Sequence, residues 1–186
     1  MRRVRIAAFG SSRTDLPADA LAEVRALAKA LAEQGADGLV GGHQGMMAAF
    51  AEGIRAGGGH VRGITLARFP TPPENALSEE VRARDFFDRM RRLIEEADGW
   101  LVLPGGLGTL AELAMSWDLV SIGVLAPRPL VLFGEGWRRI VDALLRDLIF
   151  SSSEARARIA VCSTIDEAVD AFAPLFTAAR ARPRSA

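Results

Sequence analysis

The chain has 186 residues, 49% of them hydrophobic, with 23 basic and 23 acidic side chains. That length and apolar content suit one domain with a sizeable core. The zero formal charge speaks against a broad nucleic-acid footprint and leaves room for a small phosphate pocket. The single Cys162 excludes an internal disulfide and a thiolate metal cluster and fits a reducing compartment. The basic start, Met1 to Ile6, is followed by too short an apolar run for a secretory signal, and no run reaches transmembrane length. The sequence therefore reads as a soluble cytoplasmic protein with no membrane partner.

In chain order, Val4 to Phe9 reads as a strand closed by the turn Gly10-Ser-Ser-Arg-Thr-Asp15. Pro17 to Gln34 has helical periodicity, with Leu21, Val24, Leu27, Ala28 and Leu31 on one face. Gly35 to Gly38 ends it, and Leu39-Val40 enters a short second strand that runs into Gly41-Gly-His-Gln-Gly45. Met46 to Ala56 is a second helix and His60 to Leu66 a third strand. Strands followed by helices predict a parallel sheet with right-handed crossovers.

The Phe69-Pro-Thr-Pro-Pro73 stretch cannot be helix or central strand, so residues 67–84 read as a long loop with a short strand at Val81 to Arg84. Phe86 to Ala97 is a helix carrying Arg89, Arg91 and Arg92. Trp100 to Leu103 is a buried strand, and Leu107 to Ile122 a helix that is apolar on most faces. Such a helix must be buried on several sides, one of them against a partner copy. Pro129 to Phe133 and Ile159 to Cys162 are the last strands, Gly136 to Leu148 and Thr164 to Ala178 the last helices. The pattern predicts a single α/β domain over residues 1–178, a parallel sheet of about six or seven strands with helices on both faces, and a disordered tail over 179–186.

Three glycine-bearing turns follow three strands, at residues 10–12, 41–45 and 104–109. In an open parallel sheet ligands collect at the carboxyl ends of the strands, near the point where strand order reverses. Neither Gly-x-Gly-x-x-Gly after the first strand nor Gly-x-x-x-x-Gly-Lys-Ser/Thr is present, so a dinucleotide oxidoreductase and a nucleoside triphosphatase are poorly supported. Glycines at 10, 42 and 45 can serve tight turns alone. Pro104-Gly-Gly-Leu-Gly-Thr109, at a helix start, exceeds what turning requires and suits anion binding by backbone N–H groups.

Glu112 has a plain reading as an acid complementing the helix dipole, worth about 0.3–1 kcal/mol. Arg89 has one as a solvated helix residue. Together they form a catalytic unit, since the helix that carries Arg89 leads directly into the strand that delivers residues 104–112. His43 and His60 are the only histidines, so a metal site is not expected. Met46 and Met47 read as core, Arg13 and Asp15 as turn and N-cap residues, and no Ser–His–Asp set is visible.

These residues resemble a known family. Pro104-Gly-Gly-Leu-Gly-Thr-Leu-Ala-Glu112 matches the Pro-Gly-Gly-x-Gly-Thr-x-x-Glu motif of the LOG (Lonely Guy) family of cytokinin riboside 5′-monophosphate phosphoribohydrolases, often labelled lysine decarboxylases. Phe9-Gly-Ser-Ser12 resembles its Gly-Ser-Ser turn, and Gly41 to Met47 a degraded form of its Gly-Gly-Gly-x-x-Gly-Leu-Met-Gly turn. The family's Arg-Lys pair falls on Arg89-Met90, and Leu148 to Arg156 resembles its C-terminal region. Met90 thus stands where the family has a lysine, which predicts one cation fewer beside the pocket. His43-Gln44, Ala48 and Ala111 are further departures.

The resemblance implies a Rossmann-like three-layer domain, a homodimer with the active site near the interface, and hydrolysis of the N-glycosidic bond of a purine nucleoside 5′-monophosphate. It implies no metal and no cofactor. Its catalytic residues carry over to Arg89 and Glu112. On that reading Gly105, Gly106, Gly108 and Thr109 hold the 5′-phosphate, Gly10, Ser11, Gly42 and Gly45 line the nucleoside side, and the loop at 67–80 closes over the base. A second function, of another class, is a non-catalytic carrier of a phosphorylated ligand, since molybdenum-cofactor carrier proteins share this fold.

Overall fold

The computed structural model describes residues 3–69, 71–150 and 155–181, with 155 and 156 described by backbone alone. Residues 70 and 151–154, parts of the proline loop and of the C-terminal resemblance, lie outside the described residues, as do 182–186 of the expected tail. Seven strands are formed: β1 (Val4–Phe9), β2 (Ala36–Val40), β3 (Val61–Leu66), β4 (Glu79–Ala83), β5 (Gly99–Val102), β6 (Leu130–Phe133) and β7 (Ile159–Cys162). They make one sheet in the order β4-β3-β2-β1-β5-β6-β7, with every neighbouring pair parallel. The helices are α1 (Ala18–Gln34), α2 (Gly45–Ala56), α3 (Phe86–Glu95), α4 (Leu107–Ser121), α5 (Glu135–Asp147) and α6 (Ile165–Ala181).

Continuous apolar runs make the central strands: all four residues of β5 and of β6 are buried, as a strand covered on both faces requires. Two hydrophobic clusters lie on the two faces. One joins α1, α2 and α6 to the sheet through Leu27, Leu31, Phe50, Ile54 and Phe172. The other joins α3, α4 and α5 through Met90, Leu93, Leu113, Trp117 and Trp137. The chain runs outward from β1 to β4, then returns beside β1 and runs outward the other way. The crevice at this reversal opens above the carboxyl ends of β1 and β5.

Three local readings change. The turn expected at 35–38 shrinks to Gly35, which closes α1 at φ 111°, because Ala36 already pairs with Val4. Asp37, a turn-like residue, is accommodated at this end of the sheet by Arg3 Nε at 2.7 Å and by the His60 N–H at 2.9 Å. The crossover from β3 to β4 has no helix, as the prolines predict; its described residues run back along the sheet, and Ser78 N donates to Val61 O at 2.8 Å. Residues 77–80 of the expected lid are therefore held at the amino end of β3 and in β4, and among its described residues those near 67–69 and 71 flank the carboxyl ends. Finally, α6 continues through Ala181, so residues 179–181 are helical rather than tail. Among the described residues no helix is long and apolar enough to cross a membrane.

Helix α4 is covered on one side only. Its buried stripe is Thr109, Glu112, Leu113, Ser116, Trp117 and Val120, half of it polar. Leu107 (85% exposed), Met115 (40%) and Ile122 (51%) point outward, with Val124 (64%) just beyond.

Candidate active site

Three backbone ties join the predicted turns. Leu103 N donates to Phe9 O at 2.8 Å, Ser11 N donates to Pro104 O at 3.0 Å, and Met46 N donates to Ser11 O at 2.8 Å. Two glycines exist for this junction. A Cβ at Gly10 would lie 2.8 Å from Met46 Cβ, and one at Gly45, where φ is +58°, would lie 2.3 Å from Ser11 O. A Cβ at Gly42 would meet only the flexible Met47 side chain, at 3.2 Å from its Cε. Met46 and Met47 are core residues, as their pattern predicts. Arg13 and Asp15 pair with each other at the surface, Arg13 Nε donating to Asp15 Oδ1 at 2.8 Å, and α1 starts at Pro17 without a side-chain cap.

The glycines of the β5–α4 turn divide differently. Gly105 is required by packing, since a Cβ there would lie 2.1 Å from Thr109 Oγ1, and Thr109 is buried. At Gly106 and Gly108 a Cβ would meet nothing within 4 Å. Neither is needed by the fold, and their bare backbone leaves the start of α4 open. Gly106 is the N-cap and supplies no side-chain cap. The first amides of α4 thus keep the unfilled donor capacity and positive dipole end that favour an anion.

Helix α3 is started by Asp85, whose side chain accepts from Asp88 N at 2.8 Å. Its apolar side, Met90, Leu93 and Ile94, docks on the sheet, and Arg89 emerges toward the crevice. The expectation for Met90 is corrected here: its side chain is 2% exposed within the α3–α5 hydrophobic cluster, not beside the pocket. Arg89 donates to Gly41 O through Nε at 3.1 Å and Nη2 at 2.9 Å. The same Nη2 lies 3.6 Å from Glu112 Oε1, with side-chain exposures of 14% and 10%. The helix register brings Arg89 and Glu112 together across α3 and α4, as the sequence predicts.

Among the described residues no donor reaches the Glu112 carboxylate within hydrogen-bond distance; its only charged neighbour is Arg89. Burial pushes the Glu112 carboxyl up to about 7, with Arg89 offsetting part of that rise. Burial also lowers the Arg89 guanidinium from its ordinary value, opposed by Glu112. A carboxyl that exchanges its proton near neutrality, with free lone pairs, can act as base, acid or charge stabiliser. A cavity of about 170 Å³ lined by Pro104, Gly105, Gly134, Gly136, Trp137 and Ile140 adjoins the glycine turn. A larger one, about 400 Å³, lies at the amino ends of β6 and β7, at the other end of the sheet from the pair. Among the described residues no group of three or more His, Cys, Asp or Glu side chains could hold a metal ion.

The chain matches the family described as "possible lysine decarboxylase" over residues 47–172. It belongs to this family, that of the LOG proteins. The LOG-family chain is 29% identical over 141 residues to the cytokinin riboside 5′-monophosphate phosphoribohydrolase of Mycobacterium tuberculosis, covering 72% of this chain and 74% of that protein. A probable enzyme of the same name from Oryza sativa subsp. japonica is 27% identical over 150 residues, covering 77% and 71% of the two chains. The fold is also that of the molybdenum cofactor carrier protein of Chlamydomonas reinhardtii, at a TM-score of 0.71, 21% identity and coverage of 95% and 99%.

One residue at the site was not among those the sequence singled out for a role. Gly41 lies in the second glycine turn, but nothing in the spacing signals that its carbonyl receives Arg89.

Proposed function

We propose that this chain hydrolyses the N-glycosidic bond of purine or cytokinin nucleoside 5′-monophosphates, giving free base and ribose 5-phosphate. The observation that carries this reading is Glu112: buried, paired among the described residues only with Arg89 at 3.6 Å, and one turn inside a helix whose start is open. The amides of Gly105, Gly106, Gly108 and Thr109, with the Thr109 hydroxyl, hold the 5′-phosphate. That anchor sets the ribose across the crevice, with Gly10, Ser11, Gly42 and Gly45 on the nucleoside side. As the C1′–N bond breaks, positive charge grows on the ribose, and the Glu112 carboxylate stabilises it as carboxylates do in glycoside hydrolysis. Glu112 also takes a proton from the attacking water, whose oxygen bonds to C1′. The departing base nitrogen takes a proton from water, and Glu112 returns the proton it accepted to solvent, which regenerates the carboxylate. Arg89 holds Glu112 in place and favours its ionised form. The chemistry needs no redox step and no electron sink.

The names of the relatives and the family support this class of reaction. A nucleotide substrate and a single, buried cysteine suit the cytoplasm. A second copy of the chain covers the outward face of α4 on the same reading. Sedimentation should show a dimer that the double change Met115→Glu with Ile122→Glu converts to monomer.

The test is release of free base from AMP and from N6-isopentenyl AMP. Equal amounts of base and ribose 5-phosphate support the reading. Tight binding of a phosphorylated ligand with no base released from either nucleotide overturns it in favour of a carrier.

A further inference from the structure

We propose that Gly41 is a positioning residue: its carbonyl oxygen and its missing side chain together hold the Arg89 guanidinium against Glu112. The inference rests on the reading of Arg89 and Glu112 as the working pair. Arg89 spends two donors, Nε and Nη2, on one carbonyl oxygen at 3.1 and 2.9 Å. This fork fixes the plane of the guanidinium and leaves Nη2 facing Glu112. A carbonyl is neutral, so it orients the cation without consuming its charge. Asp88 does the opposite to Arg91 and Arg92 on the same helix, receiving Nη2 and Nε at 2.8 and 3.1 Å and offsetting part of their charge.

The side chain matters as much as the carbonyl. The three atoms nearest to a Cβ at Gly41 all belong to this guanidinium, with Nη2 at 1.9 Å, Cζ at 2.7 Å and Nε at 3.1 Å. Gly41 is not among the residues with positive φ, so alanine fits the backbone there. Gly41→Ala therefore leaves the main chain in place and displaces Arg89. The glycine serves neither the turn nor the ligand directly. Among the described residues Arg89 is the charged group that offsets burial at Glu112, so its displacement must be felt at that carboxyl.

The experiment is a double-mutant cycle between Gly41→Ala and Arg89→Met, read in two ways. The first readout is the titration of the Glu112 carboxyl, followed by carbon-13 NMR and assigned with Glu112→Gln. Gly41→Ala should raise its midpoint above that of the wild type, and should add no rise in the Arg89→Met background. The second is turnover of AMP, where Gly41→Ala should lower kcat about 10- to 100-fold with KM within about threefold. An unchanged midpoint in Gly41→Ala, or the same shift in both backgrounds, overturns the proposal. If the wild type releases no base from AMP, the hydrolase reading falls alone, and the titration still decides the role of Gly41.

Discussion

Asp88 and Glu112 are both carboxylates buried on the helical layer formed by α3, α4 and α5, and their surroundings differ in kind. The Asp88 side chain is 1% exposed and accepts from Arg84 N at 3.1 Å, Arg91 Nη2 at 2.8 Å and Arg92 Nε at 3.1 Å. The backbone N–H of Arg84, with the two arginines, holds it well below the usual carboxylate range. The Glu112 side chain is 10% exposed and has, among the described residues, one charged neighbour at 3.6 Å and no hydrogen-bond donor. Burial lifts it to about 7. A buried acid whose acceptor capacity is filled is structural: it satisfies the Arg84 N–H just before α3 and binds its arginines. A buried acid left unfilled at the edge of a crevice costs stability and keeps its chemistry.

The comparison breaks most sharply at activity. Glu112→Gln should lower kcat for nucleoside monophosphate hydrolysis by about 1000-fold or more, with ribose 5-phosphate binding within about threefold by calorimetry. Asp88→Asn should do the reverse. Its melting temperature falls, because a neutral amide no longer satisfies Arg84 N, Arg91 and Arg92 together, while turnover per folded molecule stays within about threefold. If both variants lost turnover equally while remaining folded, the distinction between the two acids would fail.

Stability against pH separates them next. The Glu112 carboxyl is raised in the folded state, so between its ordinary 4.5 and about 7 the folded chain binds more protons than the unfolded one. Its contribution to stability therefore falls as pH rises through that window. At pH 8, Glu112→Gln should be more stable than the wild type by about 1–2 kcal/mol in urea unfolding, the loss of the Arg89 contact taking back part of the gain. Asp88 is lowered in the folded state, so it stabilises above its ordinary 3.8, and that contribution is lost as pH falls below this value. The smallest effect belongs to Gly108→Ala. Its Cβ meets nothing within 4 Å, and helix propensity should add about 0.5–1 kcal/mol of stability. Phosphate affinity should fall severalfold if the open start of α4 holds the phosphate.

The sequence exposed one half of this contrast and hid the other. Pro104 to Thr109 was legible because glycine density beyond the need of a turn has few other uses, and Glu112 followed from its helix register. Arg89 was legible because the helix before β5 must lie beside it in a parallel sheet. Asp88 was not, since it sits in a run of arginines from Arg84 to Arg92 that reads as a solvated basic face. Met90 was misplaced for a related reason: adjacent positions on a helix lie about 100° apart, so a neighbour of Arg89 in sequence points into the core. The one-sided burial of α4 was hidden because its covered stripe carries Thr109, Glu112 and Ser116 while Leu107, Met115 and Ile122 point outward. Periodicity has no contrast to detect there. The helix-free crossover between β3 and β4 was legible in the prolines from Phe69 to Pro73, which exclude a helix there, and strand–helix alternation predicted the rest of the sheet.

The most direct test is to titrate both carboxyls in one protein by carbon-13 NMR, with Glu112→Gln and Asp88→Asn to assign the signals. Glu112 should change protonation near pH 7, and Asp88 should stay ionised well below its ordinary 3.8. A Glu112 midpoint near its ordinary 4.5 would mean a solvated acid with no special chemistry and would contradict the account.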